Sequence, residues 1–488
     1  MKLTKTSFIQ YIQCSKALWL AHHKALPKGE FDIAAKYRKE EGYTIEKLAY
    51  QLFSDGVISA QPENGDNEVV KNLPTSAAST IFQAVIRNEY TECRCDIIQY
   101  NSSTQKWDIY EVKSGTNAKE EHLFDLAFQV YCFQQANIPV GGVYVVHVNK
   151  EYIFDGVHIE PEKLQTVTDV SERVQVIMPD MPALVEDALS TLKKNEEPNV
   201  LILKQCNSPY PCIFKEYCWG NIPNESIYEL AGKLNDDYLL ELVEKNQLLI
   251  KDIPESYLTR KDSKRHWESI TKKAVSFDSR KIKDELQQLI FPLYFLDYET
   301  FSSAIPRYKG YHAYQQVVFQ YSLHILEESG NLDHKEFLAT TNEDPSTALV
   351  NTLQSHIGAT GTIIAWNMSF EKRCNDELAR LCPDRTAFLE DVNSRMYDLR
   401  RIFQDGLYVD RRFKGSSSIK NVLPVLVPDV SYKSLVVQNG NAASFSWWEM
   451  IDRKLTATEQ KKRCEDLLKY CGLDSLAMVK IYQYLIGL

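Results

Sequence analysis

The sequence predicts an α/β protein of two domains, and three observations carry that expectation. The chain has 488 residues, beyond the roughly 250–300 at which single hydrophobic cores stop growing. Its first half mixes segments of helical period with short alternating segments. Its C-terminal part runs as three strands, a helix, a strand and a helix.

Composition excludes several classes. Hydrophobic residues are 44% and charged residues 25%, as in globular proteins, and no apolar run approaches the ~20 residues that cross a bilayer. The opening MKLTKTSFIQYIQ lacks a continuous apolar core and a small-residue cleavage site, so it does not read as a signal peptide. A cytoplasmic location without membrane association is expected. The net charge of −10 offers no general attraction to a polyanion, so nucleic-acid binding would rest on local basic patches and bound metal. In a reducing compartment, the eleven cysteines point to metal or catalysis more than to disulfides.

Along the chain, TSFIQYIQCSKALWLA and AAKYRKEEGYTIEKLAYQLF space their apolar positions as helices do. RCDIIQY and KWDIYEVK alternate as strands, and KEEHLFDLAFQVYCFQQA returns to helical period. The stretch Cys206 to Cys218, followed by a charged helix-like region, marks a seam. The expected division is a domain over 1–225, a charged helical linker over 226–290 and a second domain over 291–488. In the second domain LYFLDYE, VVFQYSLHIL and HKEFLAT read as strands and DPSTALVNTLQSHI as a helix opened by Asp344 and Pro345. GTIIAWN is a further strand and SFEKRCNDELARLC a helix. The terminal helix opens at TATEQ, a Thr cap with an acid three residues on.

Strand alternation in LYFLDYET puts Asp297 and Glu299 on one face and Tyr298 on the other. Two carboxylates can then address one cation. Phosphodiester hydrolysis by two divalent cations, about 3.5–4 Å apart, needs further carboxylates. Glu371 in WNMSFE, at a helix start after a buried strand, is one. Asp474 in YCGLD is another, with Tyr470 four residues before it on the same helix face, placed to orient the attacking water. The bland alternative is an exposed strand end, a helix-start acid favoured by the dipole and an ordinary helix pair. Asp398 in RMYDL and Lys420 in GSSSIKNVLP are weaker candidates, each equally explained by a turn or a solvated helix start.

In this order and on these elements, the residues resemble the DEDDy branch of the DnaQ-like exonucleases: D-x-E on the first strand, N-x-x-F-[D/E] after the fourth and Y-x-x-x-D on the last helix. The resemblance covers Pro292 to Leu488 and implies a ribonuclease H-like mixed sheet flanked by helices, Mg2+ or Mn2+ on Asp297, Glu299, Glu371 and Asp474, and 3′–5′ exonuclease activity. The second motif usually ends in Asp, and here it ends in Glu371.

In the first domain, RCDIIQY and DIYEVKSG supply Asp96, Glu111 and Lys113, the last two on one strand face. Asp96 and Glu111 can bind Mg2+ while Lys113 positions water or stabilises charge on phosphate. Taken alone, E-V-K is as well explained by an exposed strand of alternating charge. The set resembles the PD-(D/E)XK (restriction-endonuclease-like) core. Asp125, Gln129 and Phe133 at helical spacing resemble in part the Q-h-x-x-Y helix of RecB-like nucleases; Phe133 stands at the Tyr position, so only Gln129 carries over. Glu46 in GYTIE is explained equally by an amphipathic helix.

Cys14, far from Cys206, Cys212 and Cys218 in CNSPYPCIFKEYC, completes four thiolates around this core. They resemble the ligands of the iron–sulfur RecB-like group, which implies a structural [4Fe-4S] cluster, with a structural Zn2+ on the same four thiolates as the alternative. Cys93 and Cys95 are expected in the core; Cys132, Cys374, Cys382, Cys464 and Cys471 show no ligand spacing. Basic residues from Arg260 to Lys283 around Trp267, and Arg411, Arg412 and Lys414 around Phe413, could guide a nucleic-acid backbone, although a solvated helix face is the commoner origin of such runs.

From end to end, the strings EVKSGT, DLAFQVY, CNSPYPCIFKEYC, FLDYETF, FEKRCNDELARL and LLKYCGLDSLAMV look like an uncharacterised bacterial family fusing these two modules. The expected function is metal-dependent hydrolysis of DNA or RNA, entered at a single-stranded end, in repair, degradation or defence. The alternative is a nucleic-acid-binding or scaffold protein with one or both cores inactive, and between them stands a chain in which only the C-terminal domain is catalytic.

Overall fold

The computed structural model describes all residues except 1, 25–32, 60–65, 73–78, 231 and 454. The chain divides into two units: unit 1 comprises Met1–Asn221 with Ser303–Gln315, and unit 2 comprises Ile222–Ser302 with Gln316–Leu488. Both are mixed α/β.

Unit 1 is built on a seven-stranded mixed sheet. Its strands are β1 (Leu3–Thr4), β2 (Gly56–Ile58), β3 (Thr80–Arg87), β4 (Thr91–Asn101), β5 (Lys106–Lys113), β6 (Val140–Val148) and β7 (Gln165–Asp169). The order is β2-β3-β4-β5-β6-β7, with β1 against β4. The hairpins β3–β4 and β4–β5 are antiparallel, whereas β5 and β6 run parallel across the helix Glu120–Gln135. That is the connection a parallel pair requires. β5 coincides with the alternating KWDIYEVK segment: Trp107 and Ile109 enter the main core with Leu126, Phe128 and Phe133 of the helix. Glu111 and Lys113 continue the same face toward its end. Cys93, Cys95 and Cys132 are buried there as core residues.

The N-terminal segment expected as one helix is two, Lys5–Gln13 and Ser15–His23, parted at Cys14, whose backbone is extended (φ −168, ψ 120). A second irregularity lies in the sheet. Gln83 adopts φ 58, and the β3–β4 ladder lacks the Gln83–Asp96 pair. A non-glycine residue in the left-handed region costs on the order of 1 kcal/mol and persists only where its surroundings enforce it.

Unit 2 contains β8 (Ser276–Phe277), β9 (Leu293–Phe301), β10 (Val317–Leu326), β11 (Leu332–Leu338), β12 (Thr362–Ala365), β13 (Met396–Asp398) and β14 (Tyr408–Val409). Five of these form a sheet ordered β11-β10-β9-β12-β13, and β14 and β8 make a small ribbon. The first three strands are antiparallel, while β9, β12 and β13 are parallel. Even-numbered β9 residues Tyr294, Leu296 and Tyr298 pack with the helices Ser346–His356 and Met368–Leu381. The odd face lies under the terminal helix Ala457–Ile486, where Phe295 meets Tyr482 edge-on, and under Gly440–Asp452, where Phe301 lies beside Trp447. The terminal helix begins at the foreseen cap: Thr456 and Glu459 form a capping box. Its position over β10 is set by polar contacts, Gln320 donating to Leu467 O (3.0 Å) and Ser475 bonding Ser322 (2.6 Å) and His324 (2.8 Å).

Segment 226–290, expected as a linker, belongs to unit 2. Lys233 donates to Gly415 O (2.6 Å) and Tyr397 donates to Glu285 Oε2 (3.1 Å), so the stretch is tied into the unit by side chains that local composition does not reveal. The expected boundary at 291 also misses Ser303–Gln315, which groups with unit 1: Ala304 N donates to Glu41 (2.7 Å) and Phe154 N to Tyr311 O (2.9 Å).

Candidate metal centre and neighbouring sites

β12 pairs with β9 only as far as Phe295, so β9 runs on past it. Asp297 and Glu299 lie on that extension, facing the terminal helix. At the end of β12 the chain turns at Asn367 into Met368–Leu381, whose first turn carries Glu371. The terminal helix adds Tyr470, Cys471 and Asp474, all buried. The sulfur of Cys471 lies 3.7 Å from Asp297 Oδ2, and the ligand atoms of Asp297, Glu299 and Cys471 fall within 4.8 Å of one another. Cys471, expected to have no ligand role, is thus part of this cluster; its place three residues before Asp474 is the only trace of this in the sequence.

Electrostatics bind the four carboxylates together. Burial, then repulsion from Asp474, Glu299 and Glu371, raises Asp297 well above the ordinary range. Glu299 is raised well above it too, by burial and Asp474, against the pull of Lys420. Burial pushes Glu371 up to about 8. Burial raises Asp474 as well, opposed by the Tyr432 hydrogen bond and by Lys420. Glu371 Oε2 is buried without a hydrogen-bond partner. An unpaired buried carboxylate oxygen is costly. A cluster of mutually repelling acids with such an oxygen fits divalent cations.

Two further side chains complete the site. Tyr432, missed in the sequence, donates to Asp474 Oδ1. Lys420 donates to Tyr470 Oη (3.3 Å) and Gln438 O (2.6 Å), and lies over the Tyr470 and Tyr432 rings. Burial and the surrounding carboxylates raise the Tyr470 phenol, so it stays protonated. Asp398 accepts from Arg400 N (3.1 Å) as a turn acid does, while still acting electrostatically on Glu371.

In unit 1, Glu111, Lys113 and Gln129 converge. Lys113 donates to Glu111 Oε1 and Asp125 Oδ2, both at 2.7 Å, and Gln129 donates to Glu111 Oε2 (2.7 Å) and Asp125 Oδ1 (3.2 Å). Lys5 lies 2.9 Å from Glu111 Oε1 and 3.0 Å from Oε2. No spacing rule could associate it with a residue 106 positions away. Asp96 Oδ2 accepts from Val112 N (2.8 Å), and burial followed by Glu111 pushes its carboxyl up to about 7. Burial alone would lower Lys113, but Asp125 and Glu111 carry it above its ordinary value. Glu46 accepts from Tyr50 and Gln83.

The four cysteines approach one another. Cys14, Cys212 and Cys218 pack against Ala17, Trp19, Leu20 and Phe214; Cys212 N donates to Cys206 O (3.0 Å). Gln13 ties the Cys14 break to that loop through Gln205 O (2.9 Å) and Tyr210 O (2.7 Å). Burial raises the Cys212 and Cys218 thiols; Cys14 and Cys206 add to the shift of Cys212, and Cys212, Cys206 and Cys14 to that of Cys218. Among the described residues, the trio at Asp297 is the one whose ligand atoms lie within 4.8 Å of one another, so no three of these sulfurs come that close together.

The basic runs are largely paired. Arg260 with Asp262, Lys264 with Glu255, Lys272 with Glu268, Arg411 with Glu225 and Arg412 with Asp410 form ion pairs. This is the behaviour of a solvated face.

Residues 294–418 match the profile of a family described as a domain of unknown function (DUF2779). That span includes Asp297, Glu299 and Glu371 and ends before Tyr470 and Asp474. The chain is 25% identical over 292 residues to the uncharacterized protein MG366 of Mycoplasma genitalium, covering 53% of this chain and 43% of that protein. It is 26% identical over 215 residues to the uncharacterized protein UU173 of Ureaplasma parvum, covering 39% of this chain and 31% of that protein. Each match spans less than half of the relative's length. No helix among the described residues is long and apolar enough to cross a membrane.

Proposed function

We propose that unit 2 is a divalent-cation-dependent nuclease of the DEDDy type that removes nucleotides from the 3′ end of DNA or RNA. The observation that carries this reading is the meeting of Asp297, Glu299, Glu371 and Asp474 beside a protonated Tyr470. The strand order β11-β10-β9-β12-β13 supports a ribonuclease H-like arrangement.

Mg2+ or Mn2+ held by Asp297, Glu299, Glu371 and Asp474 would supply Lewis acidity for the attacking and leaving oxygens of a phosphodiester. Tyr470, as a neutral phenol, orients the attacking water by hydrogen bonding and does not remove its proton. Lys420, beside Tyr470, brings positive charge to the phosphate side of the site. Tyr432 holds Asp474 in one orientation.

In unit 1, the four cysteines would hold a structural [4Fe-4S] cluster. Four thiolates fill the ligand set of such a cluster, and a structural Zn2+ on the same four is the alternative. The closed contacts around Glu111 favour a unit that grips nucleic acid, with hydrolysis confined to unit 2.

The test is degradation of 3′-labelled and 5′-labelled single strands by the whole chain with Mn2+. Stepwise shortening from the 3′ end, lost in Asp474→Ala, is expected. Salt-dependent binding without metal-dependent cleavage would replace the proposal by the binding-module reading.

A further inference from the structure

We propose that Lys5 is a built-in counter-cation of unit 1, standing where a divalent ion would have to sit, so that the Glu111 cluster takes no divalent cation while Lys5 is in place. This rests on reading Asp96, Glu111, Lys113 and Gln129 as the counterpart of a nuclease core; it does not depend on hydrolysis by unit 2.

The Lys5 ammonium straddles the Glu111 carboxylate, 2.9 Å from Oε1 and 3.0 Å from Oε2, and lies 3.5 Å from Asp125 Oδ1. A chelated cation would occupy the same bisecting position. Each Glu111 oxygen already has a second donor, Lys113 at Oε1 and Gln129 at Oε2, both at 2.7 Å. Of the three carboxylates here, Glu111 and Asp125 are contacted directly by the two ammonium groups, while Asp96 accepts from Val112 N (2.8 Å) and feels both lysines. The contrast with unit 2 is direct: there Glu371 Oε2 has no donor, and Lys420 donates to Tyr470 and Gln438.

Lys5 is held from both sides. It follows β1, which pairs Leu3 with Thr91 and Thr4 with Glu92 on β4. It begins the helix Lys5–Gln13, capped by Thr4 and anchored by buried Phe8 stacked on Phe128 (4.7 Å). A divalent ion entering at Glu111 would meet two ammonium groups and would have to expel one from a fixed helix start. Unit 1 is therefore hydrolytically silent as folded.

Mn2+ binding to the whole chain, followed by loss of the free-ion electron paramagnetic resonance signal, tests this. The background is Asp297→Asn/Glu299→Gln, which removes the unit 2 centre. That background should leave Mn2+ free; adding Lys5→Met should gain about one Mn2+ per chain, and adding Glu111→Gln should abolish the gain. Mn2+ bound by the background and released by Glu111→Gln alone would overturn the proposal, and this arm needs no Lys5 variant to fold. A folded Lys5→Met chain that gains nothing would also overturn it. Absence of cleavage by the unsubstituted chain would count against the unit 2 reading and leave these binding outcomes unchanged.

Discussion

Tyr432 donates its phenolic hydrogen to Asp474 Oδ1, and both groups are buried. They lie 42 residues apart in the chain. A hydrogen bond to a carboxylate favours its charged form, so Tyr432 favours ionised Asp474 against the effect of burial.

Tyr432→Phe removes that bond and should raise the Asp474 pKa. The acid limb of the pH–rate profile for metal-dependent hydrolysis should move upward by about one pH unit. An unchanged limb in a folded variant would show that Tyr432 only fills space.

Without metal, the chain should lose stability as pH rises. Glu371 has an ordinary value of 4.5 and is pushed up to about 8 by burial. The folded state therefore holds this proton more tightly than the unfolded state, and stability falls between those values. Thermal unfolding in chelator should drop by on the order of 5 °C from pH 5.5 to pH 8, and Mn2+ should restore it. A metal-free chain with higher Tm at pH 8 than at pH 5.5 would contradict the clustering of these acids.

Glu371→Gln keeps the side-chain shape and removes one negative charge. Hydrolysis should fall by about a hundredfold, as expected when one group stabilising the reacting centre is lost. Tm in chelator at pH 8 should stay level or rise, because the neutral Gln avoids the cost of holding a proton that the unfolded Glu371 gives up. Loss of activity accompanied by a large fall in Tm would instead assign Glu371 a packing role.

Cys14→Ser tests the cysteine cluster. Anaerobically purified chain should contain iron and inorganic sulfide and absorb near 400 nm, whereas the variant should lose both iron and sulfide. Stoichiometric zinc in the unsubstituted chain, with no sulfide, would decide for the alternative metal.

Much of unit 2 was legible in local pattern. The period-2 alternation of LYFLDYETF determines which face of β9 carries Asp297 and Glu299, because adjacent residues on a strand must point to opposite faces. Thr456 and Glu459 mark the start of the terminal helix, because their side chains satisfy its first backbone groups locally. KWDIYEVK determines in the same way that Glu111 and Lys113 share a face. Tertiary structure alone decided which of these groups meet others. Lys5 reaches Glu111, Tyr432 reaches Asp474 and Cys471 reaches Asp297 through packing of elements distant in the chain. Contacts of that range depend on where helices settle on the sheets and leave no periodic trace. The same physics separates the two sites. Their motifs both display acids, but the fold sets Lys5 on Glu111 in one and turns Lys420 to Tyr470 and Gln438 in the other, and no local pattern determines which lysine arrives where.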